Sequence, residues 1–179
     1  QNPTHTYANE GLYSVQLIAT TNNGCADTAQ QQATVYPLPQ PAFNSTSVCE
    51  GLASAFSDQS TVSSANTTNQ ISVYSWNFAG QGSNNTASPS YTFSGEGVFP
   101  CTLTLTTDHG CIDSVTHNVS VYPLPQAQFS ATAVCEQLAN ALTDQSSVSN
   151  TYTTNTISSW SYDFGDTQSS SSQNPSHTY

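Results

Sequence analysis

Tyr36–Gln40 reads YPLPQ, and Tyr122–Gln126 reads YPLPQ again, 86 residues later. The same offset holds without a gap on both sides. Upstream, TYANEGLYSVQLIATTNNGCADTAQQQATV from Thr6 aligns with TFSGEGVFPCTLTLTTDHGCIDSVTHNVSV from Thr92. Downstream, FNSTSVCEGLASAFSDQSTVSS from Phe43 aligns with FSATAVCEQLANALTDQSSVSN from Phe129. The chain opens on QNPTHTY (Gln1–Tyr7) and closes on QNPSHTY (Gln173–Tyr179), two offsets apart. A fixed internal period identifies the unit that folds. A Pro-rich joint is expected to be exposed and to carry few contacts, so boundaries fall at YPLPQ. This divides the chain into the C-terminal half of one domain (1–36), a complete domain (37–122) and the N-terminal half of a third (123–179).

Within a unit the period of the apolar residues is two, not 3.6. Tyr13, Val15, Leu17 and Ala19 fall on one face, as do Phe99, Cys101, Leu103 and Leu105, which predicts half-buried strands. TTNNGC and TTDHGC then supply hairpin turns, and on the returning strand Val115, Val119 and Val121 point inward. Short strands are expected from Phe43 and Phe129, near Phe56 and Leu142, and at VYSWNF and SWSYDF. Tyr74 and Trp76 align with Trp160 and Tyr162, so one aromatic pair is kept on one face, as core packing requires. The fold class that follows is all-β, with tandem Ig-like antiparallel sandwiches.

A unit of about 86 residues is small enough that covalent staples are common. Cys49 aligns with Cys135, and Cys25 with Cys111. Each unit thus owns one early and one late cysteine, and Cys49–Cys111 is the expected bridge of the complete domain, contributing roughly 4 kcal/mol. Cys25 and Cys135 are left for a neighbouring copy or a continuation of the chain, where they would meet each other. Such a pattern suits an oxidising, extracytoplasmic setting. Cys101 aligns with Val15 and reads as a small buried hydrophobe.

The chain has no Lys or Arg against 11 Asp and Glu. Nucleic-acid binding and attachment to anionic lipid both need basic side chains and are excluded. No apolar run is long enough for a membrane helix.

YDFGD (Tyr162–Asp166) followed by QNPSHTY, then GLYSVQLIAT, NNGCADT and the closing VYPLP, resembles the polycystic-kidney-disease (PKD) repeat. It is most similar to the cysteine-bearing form in surface and secreted proteins of Bacteroidetes-type bacteria. The resemblance implies β-sandwiches that are non-catalytic and serve as spacers, adhesin segments or accessory modules of secreted enzymes. The complete domain departs from it, with WNFAGQG at Trp76–Gly82 where an FGD turn belongs.

Candidate chemistry is sparse. The carboxylates recur as repeat equivalents (Glu10/Glu96, Asp27/Asp113, Glu50/Glu136, Asp58/Asp144), which suits turns better than a catalytic pair. Asp163 and Asp166 are oxygen ligands in one turn, but their equivalents Asn77 and Gly80 are not, and turn chemistry is the reading. His5 and His177 read as packing or hydrogen-bonding residues. No enzyme activity, metal or cofactor is expected. Glycan attachment is the most concrete chemistry, with N-x-S/T sequons at Asn44, Asn66, Asn84 and Asn118. DTA at Thr28 and DSV at Ser114 resemble the bacterial D-S/T-aliphatic O-glycosylation site, and the bacterial resemblance favours these two.

The expected function is therefore a non-enzymatic repeat segment of a glycosylated, secreted filament or adhesin at the cell surface. Its partners are copies of itself or flanking repeats, joined by strand complementation between the two end halves. The alternative is a carbohydrate-binding accessory module of a secreted hydrolase.

Overall fold

The computed structural model describes residues 2–179, and every regular element among them is a strand. In chain order these are β1 (Gly11–Thr20), β2 (Ala26–Val35), β3 (Pro39–Gln40), β4 (Phe43–Ser45), β5 (Val48–Cys49) and β6 (Ser54–Asp58). Then come β7 (Thr61–Val62), β8 (Ile71–Phe78), β9 (Ser83–Asn84), β10 (Ser90–Tyr91), β11 (Gly97–Thr107) and β12 (Ile112–Tyr122). The last are β13 (Phe129–Ala131), β14 (Asn140–Asp144), β15 (Tyr162–Asp163), β16 (Ser169–Ser170) and β17 (Ser176–His177). Among the described residues no helix is long and apolar enough to cross a membrane. The chain divides into two compact units, one holding the described residues to Thr46, Ala55–Tyr91 and Pro100–Asn118, the other Ser47–Ser54, Thr92–Phe99 and Val119–Tyr179.

Two sheets make the Ig-like sandwich of the middle of the chain, β10-β6-β4 and β5-β12-β11-β8-β9. Alternation decides which side chains enter it. Cys101, Leu103 and Leu105 on β11 and Val119 and Val121 on β12 are buried, as are Trp76 and Phe78 on β8. From β4 and β6, Phe43 and Phe56 meet Trp76 at ring centroids 4.9 and 5.2 Å apart. Packing of this kind contributes more than area alone.

Both predicted hairpins form, and for the predicted reason. In TTNNGC the Gly24 N–H donates to the Thr21 carbonyl at 3.0 Å, and in TTDHGC the Gly110 N–H donates to Thr107 at 3.0 Å. Each glycine has φ near +80° (83° and 78°), where a side chain is strained.

After the second YPLPQ the registers repeat. Phe129 faces Asp144 as Phe43 faces Asp58, and Tyr162 faces Ser170 as Trp76 faces Asn84. One element is cut short. β15 has two residues where β8 has eight, because β8 is held along its length by β11 and β15 has no such neighbour.

Three expectations are corrected. The first YPLPQ is no loose joint: Pro37 and Pro39 are buried, Pro39–Gln40 pairs with Thr61–Val62, and Asn69 Nδ2 donates to the Pro37 carbonyl at 3.0 Å. Proline rings are apolar, and these fill the edge of the sandwich. β1 is a strand but not half-buried, since Leu17 is 67% exposed where its equivalent Leu103 is 0%. Thirdly, Cys49 and Cys111 do not meet. Cys49 is the register partner of Tyr122 at the end of β12, whereas Cys111 precedes its start, and 11 residues of strand lie between. At ~3.3 Å per residue the gap is about 35 Å, and a bridge requires Cα atoms within about 7 Å.

Candidate functional site

The segment after the second joint leaves an apolar face open. Phe129, Leu142, Ile157, Trp160, Tyr162 and Phe164 border a cavity of about 410 Å³. Phe129 is 55% exposed, although its equivalent Phe43 is 3% exposed. In the middle sandwich Phe43 packs against Trp76 of β8 and His117 of β12, at ring centroids 4.9 and 4.6 Å, whereas Phe129 meets Tyr162 edge-on at 5.6 Å. An apolar face left exposed forgoes the burial that would stabilise it.

The hairpin β1–β2 has the converse defect. It is fully paired, from Gly11 opposite Val35 to Thr20 opposite Ala26, but forms a sheet of two strands among the described residues, and most positions of both are exposed. Val15 (45% exposed) and Leu17 stand where Cys101 and Leu103 are fully buried. Ile18 and Leu12 lie on the other face, as Thr104 and Val98 do in β11. The turn residues keep the geometry of their equivalents, with Cys25 N–H donating to Thr21 Oγ1 at 3.2 Å and Cys111 N–H to Thr107 Oγ1 at 3.2 Å. Tyr13 stacks on Tyr7 at 4.2 Å as Phe99 stacks on Phe93 at 4.4 Å.

Carboxylates are occupied in local turns. Asp144 accepts from the Ser146 N–H at 3.0 Å, the Trp160 indole at 2.8 Å and Gln173 at 3.1 Å. These bonds, Ser146's first, hold its carboxyl down at about 2. Asp163 and Asp166 each accept a backbone N–H of their own turn, from Gly165 at 2.9 Å and Gln168 at 3.1 Å. Asp166 also meets His177 Nε2 at 2.7 Å, a hydrogen bond that lowers its pKa, and His177 stacks flat on Phe164 at 4.2 Å. No cluster of three or more His, Cys, Asp or Glu that could hold a metal occurs among the described residues.

Cys25, Cys49, Cys111 and Cys135 are not joined by disulfides in this structure. Cys101 is fully buried, and burial pushes its thiol up to about 11. Cys111 Sγ lies 4.0 Å from the Tyr36 carbonyl, in the joint that precedes the middle sandwich. Cys49 is exposed and lies beside Tyr122, in the joint that follows, on the wall of a cavity of about 350 Å³ shared with Pro123, Asn155 and Thr156. Sequence reasoning missed this sorting of early and late cysteines to opposite joints. Thr28, Ser114, Asn44, Asn66 and Asn118 are exposed, and Asn84 is half-buried with its side chain accepting from Thr86. The Thr28 and Ser114 N–H groups donate to the preceding Asp side chain at 2.8 Å in both copies.

The sequence profile of the PKD domain matches residues 34–122. No curated protein matches the chain. Solved structures similar to it include the PKD1 domain of Vibrio anguillarum Epp, with TM-score 0.43 and 21% identity over 49% of this chain and 96% of that one. The PKD1 domain of the Vibrio cholerae metalloprotease PrtV is similar with TM-score 0.41 and 26% identity, over 47% and 96%.

Proposed function

Residues 34–122 are a PKD domain, and on that premise we propose that the chain is a structural segment of an extracellular filament or adhesin stalk, built of PKD-like sandwiches in tandem. PKD domains are generally non-catalytic and occur in secreted bacterial proteins such as metalloproteases. The open face of residues 123–179 is closed by the β1–β2 hairpin of a second copy, which enters in the place that β11–β12 holds in the middle sandwich. One observation carries this reading: Leu17 and Phe129 are largely exposed at positions whose equivalents, Leu103 and Phe43, are core. Burying a Val or Leu side chain contributes about 1.5–3 kcal/mol, so the hairpin's stripe favours docking. The contact is heterologous and does not close, so it propagates as a fibre.

Glycans extend from this fibre at Thr28 and Ser114, with Asn44, Asn66, Asn84 and Asn118 as further positions. Thr28 pairs opposite Ile18, on the face turned away from Leu17, so a glycan there leaves docking unhindered. In the middle sandwich the large aromatics Phe43, Phe56, Trp76, Phe78 and Phe93 lie in the core, so that domain offers none of them to a sugar.

Light scattering of the full chain tests the proposal. The average mass should climb with concentration in steps of 19.0 kDa, and Leu17→Asp and Phe129→Asp should each hold it at one chain. A wild-type chain that stays single at every concentration, or charged variants that assemble equally well, would contradict it. Native particles that remain far above 19.0 kDa in reducing denaturant would assign the closing hairpin to a further repeat of the same polypeptide.

A further inference from the structure

We infer that disulfides form across the joints, not inside the domains: Cys49 of one copy with Cys25 of the next, and Cys135 of one copy with Cys111 of the next. The inference rests on the docking proposed above. Its geometry comes from the two joints, each of which displays one half of the same arrangement.

At the first joint the late cysteine is visible, since Cys111 Sγ lies 4.0 Å from the Tyr36 carbonyl. The second joint displays the early one. Cys49 pairs with Tyr122, and the Tyr122 carbonyl accepts the Glu50 N–H at 2.8 Å. Tyr36 and Tyr122 are repeat equivalents. Wherever one sandwich follows another, then, the strand end that carries the early cysteine of the first and the turn that carries the late cysteine of the second meet at the same tyrosine.

The cavity beside Cys49 supports the match. It is lined by Asn155 and Thr156, whose equivalents Asn69 and Gln70 hold the turn that carries the late cysteine. Asn69 Oδ1 lies 3.2 Å from His109 Nδ1, the Asp108 N–H donates to the Gln70 carbonyl at 3.0 Å, and the Gln70 N–H donates to Asp108 Oδ1 at 3.1 Å. The cavity is thus the seat of the incoming turn Thr21–Cys25, and it places Cys25 against Cys49. By the same register the Tyr36 of an incoming copy lies beside Cys135, already accompanied by its own Cys111.

The chemistry is thiol–disulfide exchange with a small-molecule disulfide such as oxidised glutathione. One protein thiolate attacks the small disulfide and releases one thiol. The second protein thiolate then displaces the other, so two protein thiols become one S–S bond and the small disulfide becomes two thiols. Cys101 takes no part because it is buried.

The test is disulfide mapping of the full chain, assembled with oxidised glutathione, alkylated and cleaved with a Glu/Asp-specific protease, since trypsin has no Lys or Arg to cut at. Bridged peptides should join Cys49 to Cys25 and Cys111 to Cys135, and a ladder on a non-reducing denaturing gel should collapse to 19.0 kDa on reduction. The double variant Cys49→Ser/Cys135→Ser should lose the ladder yet still assemble by light scattering. Assembly with the four thiols still alkylatable, or bridges joining Cys49 to Cys111 or Cys25 to Cys135, overturns this inference alone. A chain that does not assemble overturns it together with the docking.

Discussion

Asp58 and Asp144 illustrate how much a single position does in this fold. Each accepts the N–H of the serine two residues on, at 3.0 Å, and each then receives whichever aromatic donor the repeat supplies. In the middle sandwich the donor is Tyr74, whose pKa rises through burial first and then through its bond to Asp58; after the second joint it is Trp160. The sign of the pH effect follows from the carboxyl. The pKa of Asp144 is depressed from 3.8 to about 2, so the contribution of Asp144 is whole above 3.8 and fades as pH falls toward about 2. The Trp160 indole N–H resonance should therefore be constant from neutral pH down to pH about 4 and move between there and pH about 2. A second residue-scale expectation concerns Ala79, which with Gly80 forms the β8–β9 turn at φ 53°. That conformation is costly for a residue with a Cβ, so Ala79→Gly should raise stability by about 0.5–1 kcal/mol in a denaturant titration.

At the scale of elements the repeat itself supplies the controls. Leu103→Ala empties a packed core site and should cost about 2–5 kcal/mol in thermal or denaturant unfolding. Its equivalent Leu17→Ala should leave unfolding of the dispersed chain almost unchanged and instead raise the concentration needed for assembly. Likewise β17 pairs Ser176–His177 with β14, whereas the duplicate residues 2–7 form no strand. Deleting 1–7 should leave assembly intact, and deleting 173–179 should abolish it, both read by light scattering. Much of this was legible in the sequence. Alternation at Tyr13–Ala19 and Phe99–Leu105 marked the strands, and TTNNGC and TTDHGC marked their turns, because those signals are local. What alignment could not supply was the end of the sandwich at which each cysteine sits. That is set by the parallel pairing of β5 with β12, between residues more than seventy positions apart in sequence, which local patterns do not encode. The buried prolines of YPLPQ escaped notice for a related reason: composition reports a joint but not the sheet edge it fills.

The whole molecule carries a net charge of −11 with no Lys or Arg to offset it. The ion pairs among the described residues use histidine, His109 with Asp108 and His177 with Asp166. In the proposed fibre neighbouring copies would repel, and apolar complementarity must overcome that repulsion. Raising salt from about 10 mM to about 150 mM shortens the screening length from roughly 30 to roughly 8 Å and should lower the threshold for assembly. The reverse dependence would point to a contact held by charge. The most direct measurement is hydrogen exchange on assembled material at the amides of Val15–Ala19. Docking predicts protection there comparable with that of Cys101–Leu105 in the same sample, lost on dilution to single chains. Intact assemblies in which Val15–Ala19 exchange as freely as in the dispersed chain would contradict strand complementation.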